Sequence, residues 1–242
     1  MDRRQALGTL AAASAVLLAG KRAMAAEAAP RPTEHPPAPT GAHDVVPLPF
    51  DPKKLKGISE KLIVSHHDNN YAGAVKNLAK VEEQLAATTK DTPAFVIGGL
   101  RERELTFANS KVLHELYFGN LGGNGKASGN IERAIGNAFG GFARWEELFR
   151  GAAMALAGGS GWVVLGWSFH LAELRIAWSG GHTQTLANAT PLLVLDMYEH
   201  AYQMDYGAAA AKYVDAYFQN VQWEEVEKRW ERAQKAHAAL RG

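Results

Sequence analysis

Apolar spacing changes period twice along this chain, and that narrows the open folds more than any other feature. Beyond Pro52, the residues Leu55, Ile58, Leu62, Tyr71, Val75 and Leu78 recur at helical spacing. They predict a long first helix to about Ala87, with a bend near Gly73. Thr92-Pro93 then places proline at a helix start, and Phe95, Ile97, Leu100, Leu105, Val112, Leu113 and Leu116 carry a second helix to about Leu121. Two helices in series predict an antiparallel hairpin. A glycine cluster from Gly119 to Gly129 breaks the pattern, and shorter helices are expected over Ile131 to Phe139 and Trp145 to Ala157, the second stopped by Gly158-Gly159. The period then falls to two. Trp162 to Trp167, Leu171 to Trp178 and Leu192 to Leu195 read as strands, the first two as a hairpin, before helical patterns return as far as Leu240. The order of helices, small sheet, helices is an α+β arrangement. A boundary near residue 122 divides a helical hairpin (45–122) from a C-terminal part (123–242) with a small three-stranded antiparallel sheet. Trp162, Trp167 and Trp178, at strand spacing, are expected to pack in the core.

The first segment reads as an address. Arg3 and Arg4 precede an apolar stretch from Ala6 to Gly20 that is short for a bilayer span, and Ala23-Met24-Ala25 supplies small residues for cleavage. Residues 1–25 are therefore read as a removable signal, with the Arg pair resembling a twin-arginine type. An ordinary secretory signal or an uncleaved anchor is the alternative. Residues 26–44 are rich in Ala and Pro, which suits a tether. An exported, periplasmic protein is expected, with no stable membrane association after processing. Cleavage would remove Arg3, Arg4, Lys21 and Arg22 against the single acid Asp2, turning a formal +1 into a mildly acidic chain. Nothing in that balance announces a nucleic-acid partner.

The chain has no cysteine, which excludes disulfides, thiolate metal sites, iron–sulfur clusters and cysteine nucleophiles together. Any metal must sit on nitrogen and oxygen. Asp196 and His200 stand four apart after the third predicted strand, where a turn can aim both at one point. Alone, such a pair is as well explained by a helix surface. His66 and His114, however, lie inside the two apolar helices, where an unpaired imidazole is costly to bury. Two facing helices could bring both to the same ion. Three imidazoles and one carboxylate would leave a divalent ion at net +1 and suit iron or manganese.

Those residues belong to a wider pattern: Leu48-Pro49-Phe50, His66-His67, His114, Gly159-Ser160-Gly161-Trp162, the run Asp196-Met-Tyr-Glu-His-Ala-Tyr202, and Asn220-Val-Gln-Trp223. From about Val46 to Trp230 it resembles the iron/manganese superoxide dismutases. The resemblance implies metal ligands His66, His114, Asp196 and His200, with His67 structural or outside the ligand shell. It implies the disproportionation of superoxide to oxygen and hydrogen peroxide at one iron or manganese ion. Val194, bulkier than the glycine common in manganese members, tips the expectation toward iron. His182 falls where the family places a glutamine or histidine that grips solvent on the metal; a solvated turn histidine is its other reading. Glu199 matches a glutamate that bridges to a partner's last ligand, which implies a homodimer.

Some places depart from the family pattern. Asn70 and Ala74 stand where a histidine and a tyrosine usually line the substrate mouth, and Tyr71 lies three residues from the tyrosine's place. Asn70, Tyr71 and His182 are accordingly the candidates for the catalytic surroundings. Phe118 and Tyr198 replace usual tryptophans, and Gln203 replaces a tyrosine that normally joins subunits. Asn70 and Gln203 could still hydrogen-bond across an interface. A relative that keeps the metal but has lost efficient dismutation is the alternative reading. A metallohydrolase ranks below both, because no general base stands beside the ligands.

Overall fold

Ser59 begins the first helix by accepting a hydrogen bond from the Leu62 N–H (3.1 Å), the usual work of a serine N-cap. In this computed structural model, which describes residues 43–241, three helical pieces then follow in one continuous path. Helix α1 (Glu60–Ser65) runs into a π-helical turn (His66–Tyr71) and on into α2 (Ala72–Ala86). The bend expected near Gly73 is displaced: Gly73 lies inside α2, and the irregularity is the π turn that ends at Tyr71. Its wider winding rotates consecutive residues inward, so that His66 and His67 are both buried. Single π turns of this kind are frequent at functional sites. The segment read as a signal (1–25) and nearly all of the one read as a tether (26–44) lie outside the described residues.

Helix α3 (Ala94–Gly119) starts directly after Pro93 and packs along α2 as the expected hairpin. Its two halves differ. The second half buries Leu113, His114, Tyr117 and Phe118, whereas Phe95 (81% exposed), Leu105 and Val112 face outward although they share the helical period. Periodicity marks a face; it does not supply something to cover it.

The glycine cluster is a docked loop. The N–H groups of Gly123 and Gly125 donate to the carbonyls of Asn220 (2.9 Å) and Val221 (3.1 Å). A Cβ on Gly123 would stand 2.2 Å from the Val221 carbonyl oxygen, so only glycine fits that approach. Helices α4 (Gly129–Phe139) and α5 (Phe142–Met154) follow, their buried faces supplying Ile131, Ile135, Trp145 and Phe149 to an aromatic core shared with Phe218 and Trp223.

Strands β1 (Trp162–Ser168), β2 (Glu173–Ser179) and β3 (Ala189–Asp196) form one antiparallel sheet in the order β2-β1-β3. The register sets Trp162 opposite Asp196. Trp162 and Trp167 are buried as expected, but Trp178 is 54% exposed. It sits toward the end of the edge strand β2, whose burial fades from Leu174 through Ile176.

After a 3-10 turn (Glu199–Ala201) come α6 (Gln203–Tyr206), α7 (Ala210–Gln219) and α8 (Trp223–Arg241). Strand β3 has polar backbone groups to satisfy at its outer edge, and side chains do it. Asn120 accepts from the Val194 N–H (2.9 Å), Tyr217 donates to the Val194 carbonyl (2.7 Å), and Tyr213 donates to the Asp196 carbonyl (2.9 Å). The strand end that carries Asp196 is thereby fixed from α3 and α7. Arg229 of α8 adds bonds to the carbonyls of Leu116 and Leu192 and to Asn120, joining the hairpin to the sheet. Among the described residues no helix is long and apolar enough to cross a membrane.

Candidate metal centre

Three separate segments deliver four side chains to one place. The π turn brings His66, α3 brings His114, and the end of β3 with its following turn brings Asp196 and His200. One ligand atom from each lies within 4.8 Å of all the others. Asp196 Oδ2 is the common neighbour, 3.1 Å from His66 Nε2, 3.6 Å from His114 Nε2 and 3.3 Å from His200 Nε2. Ligand atoms about 2.1 Å from a shared ion, at angles of about 90 to 120°, would be separated by about 3.0 to 3.6 Å. The three spacings from Asp196 Oδ2 fall in that range.

The polar bookkeeping inside the protein points the same way. Both ring nitrogens of His66 and Nε2 of His114 are buried with no hydrogen-bond partner, although a carboxylate oxygen stands close to two of them. The two that face Asp196, His66 Nε2 and His114 Nε2, are costly to leave so unless a cation takes their lone pairs. The surroundings orient them for it. His114 Nδ1 donates to the Ser110 carbonyl (2.7 Å), one helical turn back, which makes Nε2 the lone-pair nitrogen. The Tyr198 N–H donates to Asp196 Oδ1 (2.8 Å) and leaves Oδ2 to the cluster.

Electrostatics reinforce the geometry. Burial pushes the His66 imidazole below its ordinary range and takes His114 down to about 3, so both are neutral at physiological pH. Burial alone would raise Asp196, but pairing with His200 and His66 holds its carboxyl well below the usual range. Lone pairs and a carboxylate charge are both ready for a cation.

An aromatic wall encloses the cluster. Tyr117 and Phe118 stand 5.3 and 5.2 Å from the His66 ring, and Trp162 meets the His114 ring edge-on at 5.1 Å. His182 lies at this wall: its ring stacks on Tyr198 at 4.7 Å, and Tyr198 stacks in turn on His200 at 5.3 Å. The Trp162 indole N–H donates to His182 Nδ1 (3.0 Å), and Asn109 donates to the His182 carbonyl (2.6 Å). These contacts hold the partly buried His182 against Tyr198 and Trp162. Sequence reasoning took Trp162 for packing alone and missed its bond to His182; the strand register opposite Asp196 is what puts it there.

The remaining candidates are placed differently. Tyr71 is buried against His67, but its hydroxyl donates to Glu115 Oε1 (2.8 Å) and accepts from the Val46 N–H (2.9 Å). Asn70 is partly exposed on the π turn, next to buried Tyr71. Glu199 and Gln203 are exposed beside the last ligand.

Fold and site together define a class: α+β proteins that gather three histidines and one aspartate, on nitrogen and oxygen only, between a helical hairpin and a small antiparallel sheet. Residues 127–229 match the model of a family described as iron/manganese superoxide dismutases, C-terminal domain. The chain is 47% identical over 189 residues to a superoxide dismutase [Fe] of Cupriavidus metallidurans, which covers 78% of this chain and 96% of that protein. It is 34% identical to the superoxide dismutase [Fe] of Aquifex pyrophilus (83% and 98% covered) and 31% identical to superoxide dismutase [Mn] 1 of Halobacterium salinarum (79% and 96%). The chain belongs to the iron/manganese superoxide dismutase family.

Proposed function

We propose that the protein disproportionates superoxide to oxygen and hydrogen peroxide at a single iron or manganese ion held by His66, His114, Asp196 and His200. The observation that carries this reading is the meeting of those four side chains, from three segments, with ligand atoms within 4.8 Å and orphaned nitrogens among them. The ion, when bound, supplies a reversible one-electron change between trivalent and divalent states. The protein's residues do the rest. Neutral imidazoles and one carboxylate leave the loaded site positive, which favours an anionic substrate. Because the Trp162 indole donates to Nδ1, His182 carries its proton on Nε2 and has a donor to offer. The aromatic wall of Tyr117, Phe118, Trp162 and Tyr198 limits water at the ligands.

Iron is the preferred metal on the strength of Val194, which is fully buried two residues before Asp196. The relatives named above include both iron and manganese enzymes. A homodimer is proposed because Glu199 and Gln203 stand exposed beside His200, where a second copy would cover them. Export to the periplasm rests on the Arg3-Arg4 segment and its apolar stretch. A boundary near residue 122 is retained as the division between the hairpin and sheet portions.

A specific observation keeps a second reading in view: the Tyr71 hydroxyl is engaged by Val46 and Glu115, and Ala74 offers no phenol in its stead. A protein that binds the metal but turns over slowly would look like this. Metal content by plasma mass spectrometry, with superoxide decay followed by pulse radiolysis against a His114→Ala control, separates the two. Rapid metal-dependent decay supports the dismutase; stoichiometric metal without decay supports the second reading. Ala74→Tyr should then raise turnover.

A further inference from the structure

The extended strap before the first helix is hydrogen-bonded to the ligand-bearing π turn through both backbone groups of Val46. Val46 is 53% exposed, so its side chain packs little. Its backbone groups are both captured. The Val46 N–H donates to the Tyr71 hydroxyl (2.9 Å), and His67 Nε2 donates to the Val46 carbonyl (2.8 Å). Both captors sit on the π turn that presents His66. Tyr71 then reaches across the hairpin, donating to Glu115 Oε1 (2.8 Å), and Glu115 is the residue after His114, itself held by Lys111 (3.0 Å). One hydroxyl thus ties three things: the strap, the turn carrying the first ligand, and the helix carrying the second.

We propose that Tyr71 is a positioning residue whose hydroxyl couples docking of the Val46 strap to the spacing of His66 and His114, so that metal binding and strap docking stabilise one another. The coupling is reciprocal by thermodynamic necessity. An ion that draws His66 and His114 to one point holds the π turn and α3 in the relative position at which Tyr71 spans Val46 and Glu115. A strap docked on Tyr71 and His67 does the same from the other side. Hydrogen bonds behind the ligands commonly change metal affinity by about 10- to 100-fold when removed. This inference rests on the metal reading of the site.

The test uses the full chain, loaded with iron or manganese and stripped of it, with metal content measured on each sample. Hydrogen–deuterium exchange of peptides spanning the strap reports few amides, because Pro47 and Pro49 have no N–H. The expected result is Val46 exchange at least about fivefold slower in the loaded protein, a difference abolished in Tyr71→Phe. A second variant guards against a Tyr71→Phe chain that fails to fold. Val46→Pro removes the same N–H at an exposed position, while also fixing φ there and constraining Val45, and should release metal to a chelator about tenfold faster than the wild type. A merely structural tyrosine would lower stability without either metal-dependent effect. Loaded protein whose strap exchanges as fast as the stripped form, or Val46→Pro that retains metal like the wild type, overturns the proposal alone. Wild-type protein that takes up no stoichiometric metal overturns the metal reading and the coupling with it.

Discussion

Consider the metal-free protein as the pH falls. Its His114 imidazole is held neutral by burial, with the pKa down from 6.5 to about 3. The unfolded chain protonates this residue near 6.5 while the folded chain does not, so protons favour the unfolded state through that whole window. The group therefore adds no stability difference above about pH 7, and stability is lost progressively as pH drops from 6.5 toward 3. At about 1.4 kcal/mol per unit, the displacement corresponds to about 5 kcal/mol for His114 at full extent. His66 shifts in the same direction for the same cause. Asp196 works in a different window. Its carboxyl is held low, so its contribution is present above the unfolded value of 3.8 and is lost only as pH falls below that. Between pH 6 and 4 the histidines dominate. Urea unfolding of metal-stripped protein across that range, compared with His114→Gln, should give a wild-type slope steeper by about one proton, near 1.4 kcal/mol per pH unit. Equal slopes for the two proteins would refute the claim that His114 is buried neutral.

Other expectations follow from the same contacts. Trp162→Phe removes the donor to His182 Nδ1 and should cut dismutation about tenfold at unchanged metal content, measured by pulse radiolysis beside metal analysis. Metal removal should lower the stability of the folded state by about 4 kcal/mol relative to protein with free ion at about 1,000 times its dissociation constant, read by thermal unfolding with and without a chelator. Arg229→Leu removes the guanidinium that donates to the carbonyls of Leu116 and Leu192 and to Asn120, and should cost about 1 to 3 kcal/mol in urea unfolding while sparing metal stoichiometry. Glu199→Ala should shift sedimentation toward a slower species if that exposed carboxylate binds a second copy.

Much of this architecture was legible in the residues, for identifiable reasons. Apolar periodicity is a direct imprint of a buried face, so the hairpin and the three strands could be read from Leu62, Val75, Leu113, Leu165 and Leu193. Histidines inside an apolar helix carry a cost that only a partner removes, which is why His66 and His114 stood out. Exposure was harder. Phe95 and Trp178 obey the period of their elements yet face outward, because burial depends on a neighbour that local sequence does not name. The π turn was read only as a bend, since one extra residue in a helix leaves a weak trace in periodicity. The Trp162 to His182 bond depends on strand register and loop path together, and neither is local. Likewise the Tyr71 hydroxyl meets groups 25 and 44 residues away.

The central claim is that four side chains share one redox ion. Crystals of metal-loaded protein, measured for anomalous scattering on either side of the iron and manganese edges, address it most directly. One peak is expected, with His66 Nε2, His114 Nε2, His200 Nε2 and Asp196 Oδ2 all about 2.1 Å from the ion. A peak elsewhere, or stoichiometric metal with His66 and His114 turned away from Asp196, would contradict it.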